Sequence, residues 1–227
     1  MNVSKHPSVI NAIIRKDWYF NKKYLLLFFS LAVLAVAMLS VEGRVFYIGM
    51  VLLLSVLILI GALLVTTTVV NERKNQTLAF LISLPLTYMD YTKAKMIINL
   101  MAYFVIWIIL VTATIGIIYY SEHLPNGLIP YALILLIELM VAFILILATA
   151  LVSESESWTI VVMTITNIGV SLFMFLTASI VSINQHMEGP VPVWNSTALM
   201  IIGIEILLGI LIIGATFYFQ SRKKDFI

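Results

Sequence analysis

Six apolar runs, each of a length to cross a bilayer as a helix, leave this chain few folds to choose from. A hydrocarbon core about 30 Å thick takes about 20 helical residues. Runs of that order lie at 24–41, 45–70, 96–119, 130–152, 158–181 and 196–219. The 227 residues are 62% hydrophobic, whereas a soluble domain is about 45 to 50% apolar. The expectation is an all-α polytopic membrane protein, a single transmembrane domain over 1–227 with six transmembrane helices. Ala35-Val36-Ala37 resembles a signal-peptidase site, yet 23 residues precede the first run and the run continues past that site, which argues for a retained crossing.

Positive charge sets the expected orientation, because cytoplasmic loops retain Lys and Arg. With the N-terminus inside, the inner segments hold Lys5, Arg15, Lys16, Lys22, Lys23, Arg73, Lys74, Lys93, Lys95, Arg222, Lys223 and Lys224, and only Arg44 falls outside. Both termini and 71–95 are therefore expected in the cytoplasm. A formal charge of +2, clustered in this way, points to topology and not to nucleic acid. The absence of cysteine excludes disulfides, thiol chemistry and a cysteine-ligated metal.

Segment 71–95 is about twenty-five residues long where a plain connection needs only a few. Leu78, Phe80, Leu81 and Leu84 form an apolar face behind Glu72, Arg73, Lys74, Asn75 and Gln76, which reads as a short amphipathic helix. Pro85 interrupts it, and Thr87 with Asp90 matches a capping box opening the next helix. Three roles fit: a helix resting in lipid headgroups, a basic loop that only sets topology, or a docking element. Residues 8–23 carry Val9, Ile10, Ile13, Ile14 and Trp18 on one side and Asn11, Arg15, Lys16, Asn21 and Lys22 on the other, as an interfacial helix does.

Polar residues inside the runs are the next signal. The second run holds Ser55 and a polar end at Thr66, Thr67 and Thr68. In the third, Asn99 and Tyr103 share a face. Glu138 and Glu205 sit at matched depth, roughly 12 to 14 Å from the outer boundary. A carboxyl in a bilayer is expensive enough to be a functional candidate, here for a cationic substrate or a proton; the plain alternative is a protonated or hydrogen-bonded side chain. Along the fifth run Ser157, Thr164, Asn167, Ser171 and Ala178 form one stripe, fit to line a pathway or to join helices. Loop 153–157 is acidic through Glu154 and Glu156, suiting a basic partner surface or simply a helix start.

Catalytic chemistry finds little footing. The chain has no G-x-x-x-x-G-K-[ST] loop, no H-E-x-x-H and no G-x-S-x-G, and His6, His123 and His186 are scattered. It also lacks the matched internal repeats of many secondary transporters.

Glu72, Thr77, the phrase Leu81-Ile82-Ser83-Leu84-Pro85-Leu86-Thr87 and then Ala94-Lys95 give the chain a likeness to a known family. The phrase covers about a tenth of the chain and the six-crossing pattern nearly all of it. The chain resembles the membrane subunits of type-2 ABC exporters, which have six crossings and a cytoplasmic coupling segment after the second. The resemblance implies that Glu72, Arg73, Lys74, Thr77, Phe80, Leu81 and Leu84 meet a separate ABC ATPase subunit carrying ATP and Mg. It makes 8–23 the connecting helix, and Glu154 and Glu156 a second, smaller contact. Two membrane subunits, identical or related, would frame a pathway between second and fifth crossings, where Ser55, Thr66, Thr164, Asn167 and Ser171 lie; Glu138 and Glu205 stay pathway candidates outside that frame. The short outer loop 182–195 makes the chain look most like bacterial cytoplasmic-membrane exporters of amphipathic or antimicrobial peptides, such as those of phenol-soluble modulins. An ATPase-independent channel or membrane scaffold remains the alternative, with 71–95 resting in lipid.

Overall fold

A computed structural model describes residues 7–74 and 87–223. Among them the chain is helical throughout: α1 Pro7–Met38, α2 Arg44–Val65, a π-helical turn Thr66–Val70 leading into α3 Asn71–Lys74, α4 Tyr88–Tyr120, α5 Leu128–Ser153, α6 Glu156–Ser179, α7 Val181–Met187 and α8 Ser196–Ser221. Six spans are long and apolar enough to cross a membrane. In lipid a backbone must satisfy its own polar groups, and a helix does so within one segment.

Several helices outrun their apolar cores. Residues 8–23 and the first run form one continuous helix, α1. The second crossing carries through the π turn as far as Lys74. The third begins at Tyr88, eight residues ahead of its apolar run, because the capping box forms there. Thr87 Oγ1 accepts from the Asp90 amide at 3.1 Å, and the Asp90 carboxylate accepts from the Thr87 amide at 3.4 Å. Gly43 turns the chain between α1 and α2 with φ 71°, a conformation open to glycine.

Helix α5 is the centre of the bundle, packed against α2, α4, α6 and α8 and mostly buried. Burying apolar surface gives little drive between helices in lipid, so close fit has to do the packing. At Gly49 a Cβ would stand 2.8 Å from Met38 Cβ and 2.9 Å from the Ala35 carbonyl oxygen, which lets α1 and α2 touch along their backbones. At Gly61 a Cβ would come within 3.0 Å of Phe143, whose ring stacks on Tyr103 with centroids 4.1 Å apart, locking α2, α4 and α5 together. The far end is tied by Gly127, whose amide donates to the Gly189 carbonyl at 2.9 Å.

The outer members contrast with this centre. Helix α6 buries only Thr159, Val170 and Thr177, and α8 turns most of its apolar residues outward.

Candidate functional site

The end of the bundle that gathers Lys and Arg also gathers most of the buried polar side chains among the described residues. Lys95, in the second turn of α4, is fully buried, and its ammonium stands 2.7 Å from Asp17 of α1 and 2.8 Å from Glu72 of α3. Both carboxylates are nearly buried as well, at 4% and 7% exposure. Lys16 adds a second cation, bonded to Glu72 and 3.4 Å from Asp17. Tyr91 donates its hydroxyl to the other Glu72 oxygen at 3.1 Å, and its ring lies 5.4 Å from the Lys95 ammonium. Among the described residues two acids face two lysines, and pairing of this kind is what allows charge to be buried.

A second polar layer lies deeper. The Asn99 amide donates to Thr68 at 2.9 Å and to the Lys95 carbonyl at 2.8 Å, joining α4 to the π turn. Thr67 reaches Asn21 at 2.6 Å, joining the same turn to α1. Neighbouring threonines thus face opposite helices, and a wide turn that breaks α-helical spacing is a common feature of functional regions. At this end of the bundle α1, α2 and α4 are held as one unit.

A third contact leads from this unit to α5. Helix α5 ends with carbonyls that lack intrahelical donors, as every helix does. Arg73 donates to the Ala150 carbonyl at 2.6 Å, Gln220 to Leu151 at 2.6 Å and Lys223 to Val152 at 2.9 Å. Positive charge at a helix C-terminus is favourable in its own right. Glu154 then turns the chain with φ 55° and pairs with Lys223. Lys74 lies 3.4 Å from Glu156, an exposed pair of small energetic weight. Together these groups surround a cavity of about 230 Å³ lined by Arg73, Lys74, Glu154, Ser155, Glu156 and Thr159.

The structure therefore brings Glu72, Arg73, Lys74, Glu154 and Glu156 to one end of the bundle. It turns Glu72 inward, where its carboxylate bonds to the chain's own residues, while Lys74, Glu154 and Glu156 stay accessible. Thr77, Phe80, Leu81 and Leu84 lie outside the described residues. The pathway candidates are dispersed. Ser55 is exposed, Thr66 half-buried, and Thr164 and Ser171 exposed with Asn167 half-buried beside them. Helices α2 and α6, which carry all of them but Thr66 of the π turn, do not pack extensively on each other within one chain.

Glu138 is half-buried, and Glu205 is 3% exposed with neither carboxylate oxygen hydrogen-bonded among the described residues. Glu205 borders a groove of about 250 Å³ beside Phe104, Trp107 and Met140.

Sequence reasoning did not find the role of Asp17 and Lys95. One signal was there: Asp17 is the sole acid in the first 41 residues, among five basic ones. An isolated acid in a basic interfacial segment asks for an internal partner.

Residues 12–226 match the family described as ABC-2 family transporter protein. Neither the curated proteins nor the solved structures contain a match to the chain.

Proposed function

The chain belongs to the ABC-2 transporter family, as membrane subunit of an ABC transporter whose ATPase is a separate partner, and from that premise we propose that it is the permease of an ATP-driven exporter of amphipathic peptides or similar amphiphiles. The observation that carries the mechanical part of this reading is Lys95 buried between Asp17 and Glu72. ATP and Mg bind the partner, and closure of its nucleotide sites pushes on segment 71–95 and on the turn at Glu154 and Glu156. Thr77, Phe80, Leu81 and Leu84 are the residues this reading assigns to that contact, with Arg73 and Lys74 at its root.

Because Glu72 is ionically tied to α1 and α4, a push on α3 moves the inner ends of three helices together. Arg73 passes the same displacement to the end of α5. Packed interfaces of this kind switch between discrete arrangements and do not bend continuously. Two membrane subunits, identical or related, face each other across a pathway lined by Ser55, Thr66, Thr164, Asn167 and Ser171. The exposure of Thr164 and Ser171 in the single chain supports this, since both positions stay open to a second subunit. Both termini lie in the cytoplasm of a bacterial cell under the positive-inside rule.

The test is nucleotide-dependent uptake of an amphipathic peptide into inside-out vesicles holding the chain and its ATPase. Glu72→Lys is expected to abolish uptake and substrate-stimulated ATPase while the chain still inserts. Uptake that proceeds without nucleotide, or that survives this variant, overturns the coupling role.

A further inference from the structure

Between α1 and α4, on the side facing away from α5, runs a groove of about 990 Å³ that the coupling reading does not use. Its floor is buried and apolar, from Leu25, Ile98, Ala102 and Ile106, and its walls are exposed and apolar, from Leu26, Met101, Val105 and Ile109. At one end stand Arg15, Lys22 and Lys23 beside Trp18, and no acidic residue lines any part of it. The groove arises from helical spacing: 98, 101, 102, 105, 106 and 109 fall on one face of α4, and 15, 18, 22, 25, 26 and 29 on one face of α1.

We infer that this groove is a binding site for an anionic phospholipid, with its phosphate at Arg15, Lys22 and Lys23 and an acyl chain laid between α1 and α4. Three observations converge on that occupant. The first is charge left over. Lys16, Lys74, Lys95 and Lys223 each pair with a carboxylate, and Arg73 is taken up by carbonyls. Arg15, Lys22 and Lys23 form no ion pair among the described residues, and Lys22 only lies over the Tyr19 ring at 4.5 Å.

The second is length. From Ile98 to Ile109 the helix rises about 16 Å, close to half of a hydrocarbon core about 30 Å thick. An acyl chain of one leaflet fits that run with its headgroup at the basic mouth. The third is the mouth itself, where Trp18 is 51% exposed, in the manner of aromatic side chains at the headgroup level. A zwitterionic lipid would meet three cations with no net charge to offset them. The inference needs a chain that spans a bilayer, and neither the ATPase contact nor the cargo enters into it.

The experiment uses the full chain in nanodiscs of equimolar phosphatidylglycerol and phosphatidylcholine, with retained lipid read by native mass spectrometry. Phosphatidylglycerol is expected to be retained selectively. At about a fivefold loss per charge, Arg15→Gln, Lys22→Gln and Lys23→Gln combined should lower its retention by about a hundredfold. Val105→Trp fills the groove from an exposed wall and leaves every charge in place, so loss of the lipid there separates the groove from general attraction to a basic surface. Lys93→Gln, exposed and off the groove, removes a charge without touching the site and should change retention by less than any one of the three groove substitutions.

Equal retention of the two lipids overturns the site. So does undiminished phosphatidylglycerol in the triple variant or in Val105→Trp. So does cross-linking through Met101→Cys that shows the groove covered by a second copy.

Discussion

The Lys95 side chain is fully buried, and the two carboxylates beside it are its ionic partners. Lys95→Met takes away the ammonium that touches both Asp17 and Glu72, and breaking a buried pair typically costs about 3–5 kcal/mol. Thermal unfolding of the purified chain should show a loss of that order. Adding Asp17→Asn and Glu72→Gln to Lys95→Met removes the stranded charge and should recover most of the stability. If recovery of stability does not bring back transport, the cluster serves motion as well as folding. Glu205 is the reverse case, since its two oxygens lack partners among the described residues. Glu205→Leu should raise stability by about 1–3 kcal/mol, read in the same unfolding assay. A variant that is both more stable and fully active in transport removes Glu205 from the pathway.

At the scale of elements, the approach of α1 to α2 at Gly49 is a tight constraint. Gly49→Val puts a branched side chain against the Ala35 carbonyl and Met38, and overpacking of this kind costs about 1–3 kcal/mol. Gly116, within α4, has no neighbouring atom within 4 Å of where a Cβ would stand, so Gly116→Ala meets open space. There the gain in helix propensity, about 0.5–1 kcal/mol, should appear as a higher unfolding temperature. The two glycines look alike in sequence and answer oppositely. The end of α5 behaves as a joint: Arg73, Gln220 and Lys223 reach it from α3 and from the end of α8, so elements remote in sequence share one set of carbonyls.

For the whole molecule, the uneven burial of the helices decides what can surround it. Helix α5 is enclosed by its own chain, whereas α6 and α8 present long outward faces. Lipid satisfies such faces where they are apolar. Thr164 and Ser171 on α6 donate to the Ile160 and Asn167 carbonyls of their own helix at 3.0 and 3.3 Å, which leaves the Asn167 side chain as the group of this stripe best suited to another subunit. The chain has no native cysteine, so single cysteines report cleanly. In the assembled transporter, Thr164→Cys should react with a membrane-impermeant thiol reagent, and reactivity should change with nucleotide on the partner. Ile109→Cys, on the lipid side, should stay unreactive. Equal labelling of both positions would place the pathway elsewhere.

The apolar run lengths determine six crossings whatever the partners, because a bilayer accepts only segments of that length with satisfied backbones. The capping box at Thr87 and Asp90 is likewise local, a matter of residues three apart, and is legible in the sequence itself. Charge clustering showed which end of the bundle matters. It could not show which charges turn inward, since Asp17, Glu72 and Lys95 are far apart in sequence and meet only when α1, α3 and α4 pack. Ionic pairing is a property of distance in space, and burial decides its strength. The same packing left Arg15, Lys22 and Lys23 without an ion pair among the described residues, around an apolar groove, which composition alone does not reveal.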